Sequence, residues 1–107
     1  MNSKHDEHVK YMALKPDIIG LDSVVLATAE SNIFKNGHIY RQPDNLMFDP
    51  STKTLYNIEY KCHHTQSMYN HAKEQLKTCE RNLQDVFTNW RIVNLYINDN
   101  YKIEKIR

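Results

Sequence analysis

Glu59 and Lys61 are the two residues of this chain whose types and spacing most directly indicate chemistry. They lie two positions apart within residues 54–62, where tyrosine, isoleucine and threonine favour a β-strand. Side chains alternate along a strand, so Glu59 and Lys61 share one face and lie about 7 Å apart. A carboxylate and an ammonium held in this way can bind a hard cation and a water next to a phosphate.

A second acidic residue, Asp44, is brought towards this strand by a predicted hairpin. Residues 44–48 have the pattern of a strand, and residues 49–53 contain the turn formers aspartate, proline and serine. A hairpin that joins residues 44–48 to residues 54–62 places Asp44 near the Glu59 end. Two acids and a lysine are therefore expected to converge from distant positions in the chain.

This arrangement resembles the signature of the PD-(D/E)xK nuclease superfamily. The matching residues are Pro43-Asp44 and, after the short hairpin, Glu59-Tyr60-Lys61. The resemblance implies an α/β fold of the restriction-endonuclease-like kind. That fold has an α-β-β-β-α-β core in which a mixed sheet is flanked by helices.

A glutamine on a predicted helix extends the resemblance. Gln75 lies fourteen positions beyond Lys61 and is similar to the helix glutamine of RecB-like and Holliday-junction-resolvase-like members. Cys79 stands where RecB-like members have a tyrosine. The resemblance covers residues 23–98, which we take as the core of the fold.

The resemblance implies Mg²⁺-dependent hydrolysis of DNA phosphodiester bonds, with Mn²⁺ as a substitute ion and with endo- and exonuclease action both open. Asp44 and Glu59 would be the metal ligands, together with the backbone carbonyl of Tyr60. Lys61 would orient the attacking water and stabilise the developing negative charge. Gln75 would position the lysine or a phosphate, and RNA is not excluded as a substrate.

Other residues are candidates for a supporting role. Glu30 lies on the predicted second helix, at residues 23–35, and the resemblance makes it a candidate because family members often have a metal-binding glutamate on their first helix. A boundary glutamate that reaches solvent is an equal alternative. Candidates for contact with nucleic acid are Arg41, His63, His64, Lys73 and Lys77. For the two lysines the alternative is an ordinary solvated helix face.

Hydropathy patterns predict the elements that position these residues. Helical periodicity predicts helices at residues 3–14, 23–35 and 66–88, although residues 24–26 also fit the start of a strand. Strand patterns occur at residues 38–41, 44–48, 54–62, 90–97 and 101–106. The first three strands would form an antiparallel meander. The fourth would pair parallel to residues 54–62 through the crossover helix.

Composition limits the classes of function. The 107 residues predict a single domain, and the formal net charge of +1 is a weak signal for a nucleic-acid partner. With only two glycines, the chain has no phosphate-binding glycine loop, which argues against P-loop and dinucleotide-binding folds. Two cysteines provide no disulfide framework, and no segment has the pattern of a signal peptide or membrane span. We therefore expect a cytoplasmic protein with no membrane partner. Under the nuclease interpretation, it would be a minimal nuclease of the kind that a virus or mobile element encodes.

Two other interpretations remain open. The protein could be a non-catalytic nucleic-acid-binding or assembly protein that retains the nuclease fold. Zinc is a less favoured alternative, with possible ligands Cys62, His63, His64, His71 and Cys79. His5 and His8 lie three positions apart on one face of the first predicted helix. A metal-binding pair is an alternative, but we interpret them as solvated surface residues near a frayed helix end.

We expect the working unit to be a homodimer. One small domain has one site and cuts one strand, whereas a two-fold pair can cut two strands or resolve a branched junction. The predicted interface residues are Tyr101, Ile103 and Ile106 on the last strand. The alternative is a monomer that nicks or trims single strands.

Overall fold

A computed structural model of the chain describes residues 4–29, 33–35, 37–40, 43–62 and 65–106. The helices are α1 (Lys4–Leu14), a 3₁₀ helix (Pro16–Ile19) and α2 (Gln66–Val86). The strands are β1 (Leu26–Ala29), β2 (Ile33–Lys35), β3 (His38–Tyr40), β4 (Asn45–Asp49), β5 (Thr54–Tyr60), β6 (Arg91–Ile97) and β7 (Ile103–Ile106). Within the described part of the chain, no helix combines the length and hydrophobicity needed to cross a membrane.

The main sheet has five strands in the order β1-β4-β5-β6-β7. All neighbours are antiparallel except β5 and β6, which pair in parallel from Thr54 opposite Arg91 to Tyr60 opposite Ile97. The predicted hairpin between β4 and β5 and the predicted parallel pairing of β5 with β6 are therefore confirmed. The protein is a mixed α/β fold.

Helix α2 is the crossover that makes the parallel pairing possible. The Thr65 hydroxyl accepts a hydrogen bond from the Met68 amide at 3.1 Å and caps the first turn of the helix. One side of α2 is buried against the sheet through residues at helical spacing: Ala72, Gln75, Leu76, Cys79 and Leu83. This helix was predicted from the same periodicity.

The predicted helix at residues 23–35 is wrong, because the described part of this segment forms β1 and β2. Strand β1 pairs with β4, so the first strand of the meander is β1 and not residues 38–41. Strand β3 instead pairs with β2 in a separate two-stranded sheet. Gly37 has φ +79° between these two strands, and Asn-Gly is a typical hairpin turn rather than a helix end.

Both faces of the main sheet are covered. On one face, α1 and the 3₁₀ helix bury a cluster made of Val9, Met12, Ile19, Met47, Ile58, Tyr60, Val93, Leu95 and Ile97. On the other face, α2 buries Leu46, Leu55, Cys79 and Leu83, and also Ala72, Leu76, Tyr96 and Ile106. The core therefore extends beyond residues 23–98 at both ends. We call these the α1 face and the α2 face.

Buried asparagines fix the layers relative to one another. The Asn45 side chain donates to the Val9 carbonyl at 3.0 Å and to the Thr28 carbonyl at 2.9 Å, which joins β4 to α1 and β1. On the α2 face, the Asn57 side chain donates to the Leu76 carbonyl at 3.2 Å and to Asn94 Oδ1 at 3.0 Å. Because a buried polar group is costly when unpaired, these bonds define where each helix lies on the sheet.

Candidate functional site

Asp44 lies in a bend immediately before β4, at the end of the sheet where β5 finishes. The last pair of the β4–β5 ladder is Asn45 with Ile58, so one further step of the same register sets Asp44 opposite Glu59. The Asp44 Oδ2 atom accepts a hydrogen bond from the Tyr60 amide at 2.7 Å. The predicted approach of Asp44 to the Glu59 end of the strand is thus found in the structure.

Glu59 and Lys61 form an ion pair that is largely removed from solvent. Lys61 Nζ lies 3.5 Å from Glu59 Oε1, and the two side chains are 17% and 6% exposed. The Lys61 amide also donates to the Ile97 carbonyl at 3.0 Å, which holds this residue beside β6. A buried ion pair loses much of its attraction to the cost of desolvation, so stability alone is a weak reason for its presence.

Gln75 lies on the α2 face with a buried side chain. Its Oε1 atom has no hydrogen-bond partner among the described residues. The next residue, Leu76, is bonded to Asn57, and Glu59 lies two positions further along β5. A buried acceptor without a donor costs about 1–3 kcal/mol, so this oxygen is suited to receive a donor such as an ammonium or a water.

His5 also belongs to this end of the sheet, and its prediction as a solvated residue is wrong. His5 Nε2 lies 3.2 Å from Asp44 Oδ2, and His5 Nδ1 lies 3.4 Å from Asp6 Oδ1. Burial by itself would lower the pKa of His5, but the carboxylates of Asp44 and Asp6 outweigh burial and raise it above its usual value. Protonation of the histidine is therefore favoured by the neighbouring carboxylates.

His8 joins α1 to the same strand end through Tyr60. Its Nδ1 atom is hydrogen-bonded to the Tyr60 hydroxyl, and its ring stacks on Tyr101 with the centroids 5.3 Å apart. Burial raises the pKa of Tyr60, so the hydroxyl stays protonated. The prediction of a solvated His8 is also wrong. The i, i+3 spacing of the two histidines was the only sequence signal for this contact.

The remaining predicted site residues are not all found at the end of the sheet where Asp44 and Glu59 lie. Glu30, Arg41, His63 and His64 lie outside the described residues. Lys73 Nζ lies 5.5 Å from the centre of the Tyr69 ring, and Lys77 Nζ lies 3.7 Å from Glu80 Oε1. Both lysines therefore make contacts within α2.

The described zinc candidates do not come together. Cys62 packs against the cluster on the α1 face, whereas Cys79 is buried on the α2 face, so the sheet separates them. His71 is exposed on α2. Among the described residues, no group of three or more histidine, cysteine, aspartate or glutamate side chains is arranged to hold a metal ion.

The predicted dimer residues differ in their exposure. Ile106 is buried against Ala72, Leu76 and Tyr96, and Tyr101 is half-buried beside His8. Ile103 is 44% exposed on the edge strand β7. Of the three residues, Ile103 is the one whose side chain is available to a second chain.

No protein-family model matches this chain, and neither curated proteins nor solved structures give a significant match to it. The resemblance to the nuclease superfamily therefore rests on the residues and the topology of this chain alone.

We predict that His5→Ala lowers the free energy of unfolding more at about pH 5.5 than at about pH 8. The folded pKa of His5 is raised, so its contribution is fully present below the unfolded value of about 6.5. That contribution is lost as the pH rises through the folded pKa. Since the side chain is partly exposed, the difference should stay below about 1 kcal/mol.

Urea unfolding in the presence of a chelator measures this difference. His71→Ala, at an exposed position of α2, is the matched control and should show no such pH dependence. An equal destabilisation by His5→Ala at both pH values would contradict the raised pKa.

Proposed function

We propose that this protein is an intracellular, Mg²⁺-dependent nuclease that hydrolyses phosphodiester bonds of DNA. The observation that carries the proposal is that Asp44, Glu59 and Lys61 lie at the same end of the neighbouring strands β4 and β5. Asp44 accepts a hydrogen bond from the Tyr60 amide. Glu59 and Lys61, the residues just before and just after Tyr60, form an ion pair. Two carboxylates and an ammonium have the charges that phosphoryl chemistry uses.

The order of the elements supports the same proposal. If the β2–β3 hairpin is treated as an insertion, the chain runs α1, β1, β4, β5, α2, β6. This is the α-β-β-β-α-β order that the restriction-endonuclease-like resemblance implies. In that comparison, the first helix of the family corresponds to α1 and not to residues 23–35. The α1 residue that contacts Asp44 is His5.

The donor set is of the kind that Mg²⁺ accepts. Magnesium is usually held by one or two carboxylates, with waters and substrate phosphates as its other ligands, so a cage of three protein side chains is not required. Asp44, Glu59 and the carbonyl of Tyr60 would hold the ion, and Glu30 remains a further candidate. The ion would neutralise charge on the phosphate and lower the pKa of a bound water.

Lys61 and Gln75 would complete the chemistry. The Lys61 ammonium is held near Glu59 in a poorly solvated position, where a positive charge acts strongly on a developing negative charge. It would orient the attacking water and stabilise the phosphorane-like oxygens. The buried Oε1 of Gln75 would accept a hydrogen bond from the lysine or a water and so fix its position.

A second candidate function is nucleic-acid binding or assembly without catalysis. It is favoured by the contacts of Asp44, whose Oδ2 atom is already engaged by the Tyr60 amide and by His5. In that case Asp44 only ties α1 to the sheet. Cleavage of a labelled oligonucleotide that requires Mg²⁺ and stops with chelator separates the two functions, because only the nuclease would show it.

We predict that Asp44→Asn and Glu59→Gln each weaken Mn²⁺ binding roughly tenfold or more. Asparagine retains an oxygen that can accept from the Tyr60 amide, and glutamine retains the volume of Glu59, so the loss reports mainly on charge. Isothermal calorimetry measures the affinities. Asp17→Asn and Glu74→Gln remove exposed carboxylates and are the controls. Equal Mn²⁺ binding by wild type and all four variants would overturn the metal site.

We predict that Lys61→Met lowers turnover by about 10²–10³-fold and changes oligonucleotide affinity much less. Methionine keeps most of the stem and removes the charge that would act in the transition state. Single-turnover cleavage measures the rate, and circular dichroism verifies folding. The control is Lys102→Met at an exposed position. A variant that cleaves at nearly the wild-type rate would leave Lys61 as the ion-pair partner of Glu59 only.

We further propose a homodimer as the working unit, with β7 and its exposed Ile103 at the contact. Two sites related by a two-fold axis would cut both strands of a duplex or a branched junction. Light scattering at micromolar concentration should give twice the chain mass of 12.7 kDa. A mass that stays at 12.7 kDa when branched DNA is added would rule out the dimer.

A further inference from the structure

A groove lies between α2 and the β6–β7 edge of the sheet. It has a volume of about 390 Å³, and its cationic lining consists of Lys77, Arg91 and Lys105. Arg91 begins β6, Lys105 belongs to β7 and Lys77 belongs to α2, so three separate elements bring these charges together. We call it the basic groove.

The cationic surface continues along the outer side of α2. A second groove of about 370 Å³ shares Lys77 with the first and adds Lys73 and Arg81. Five cations and two carboxylates, Glu74 and Glu80, line the two grooves together, an excess of three positive charges. Because the whole chain has a formal net charge of +1, positive charge is concentrated on this side and the rest of the chain is net negative.

The acids of the grooves only partly offset these cations. Glu80 Oε1 accepts from the Asn94 side chain at 3.1 Å and lies 3.7 Å from Lys77, so its charge is already engaged. Within the described residues, the ion pairs of the structure do not include Arg81, Arg91 or Lys105. These three cations are therefore available to an anionic ligand.

The basic groove and the candidate active site lie towards opposite ends of β5. Arg91 is opposite Thr54 at the start of β5, and Lys61 follows the other end of that strand. Seven residues of strand span about 23 Å. Phosphates of one DNA strand recur about every 3.4 Å along the duplex axis, so about seven nucleotides cover this distance. One strand is long enough to reach both places.

We propose that the basic groove binds the sugar-phosphate backbone of the DNA strand to one side of the position that is cleaved. Lys77, Arg91 and Lys105 contact phosphates in the groove, and Lys73 and Arg81 extend the contact along α2. The proposal rests on the proposed function for the choice of DNA as the ligand. It does not require catalysis, because these residues position a strand and take no part in bond breaking.

The test is the affinity of the full chain for a fluorescent DNA oligonucleotide, measured by anisotropy in chelator so that no cleavage occurs. The double variant Arg91→Gln with Lys105→Gln removes two exposed charges without burying a polar group. Its affinity is expected to fall about tenfold. The slope of log affinity against log salt is expected to decrease by nearly two, since each lost phosphate contact contributes about 0.9 for a duplex.

The control is the double variant Lys10→Gln with Lys15→Gln, which removes two exposed charges outside both grooves, at α1 and just after it. It should keep the wild-type affinity and salt slope. Equal effects of the two double variants would overturn the groove, because binding would then follow net charge alone. An RNA of the same sequence is a further arm, and tighter groove-dependent binding of RNA would overturn the choice of DNA.

The two experiments together separate failure of the groove proposal from failure of the nuclease proposal. If wild type cleaves DNA with Mg²⁺ and the groove variant binds normally, the groove proposal is wrong and the nuclease stands. If wild type never cleaves and the groove variant alone loses binding, the groove stands and the nuclease proposal is wrong. If wild type binds no nucleic acid in chelator, the groove proposal is overturned.

Discussion

The parallel pairing of β5 with β6 is the constraint on which the rest of the structure depends. Two parallel neighbours cannot be joined by a tight turn, so the chain must cross over the sheet, and α2 is that crossover. Parallel strands are normally buried on both faces, and the face opposite α2 needs its own cover. Helix α1 supplies it with Val9 and Met12. The N-terminal turn of α1 consequently reaches the end of β5, where His5 meets Asp44.

Elements with strong local signals could be predicted from the sequence. Helix α2 has a regular apolar stripe, and the β4–β5 hairpin has turn formers between two strand patterns. The helix predicted at residues 23–35 is wrong because the apolar positions of this segment fit both the helical and the strand period. Pairing with β4, from Leu26 opposite Phe48 to Ala29 opposite Asn45, decides in favour of the strand. The Thr28 hydroxyl also accepts from the Leu46 amide at 3.2 Å, a contact that the segment alone does not reveal.

The contacts of the candidate site that one hairpin determines could be predicted from the sequence, and the contacts between distant segments could not. One hairpin sets the register of β4 on β5, so the approach of Asp44 to the Glu59 end followed from the turn. The His5–Asp44 contact spans 39 positions and depends on how α1 lies across the sheet, which no periodicity encodes. The basic groove has the same origin. Its helical lysine stands in a visible row, whereas Arg91 and Lys105 come from two strands that become neighbours only in the folded sheet.

The contacts of Asp44 allow a structural role and a chemical role at once, because a carboxylate has two oxygens. Both contacts described for this side chain are made by Oδ2, which accepts from the Tyr60 amide and lies beside His5. Carboxylates that bind metal ions are commonly oriented by such hydrogen bonds, so an engaged Oδ2 is compatible with coordination through Oδ1. The fold needs only an acceptor at this position, which an amide side chain would also provide. Hydrolysis would need the negative charge, so the charge of Asp44, rather than its contacts, separates the nuclease from a binding protein of the same fold.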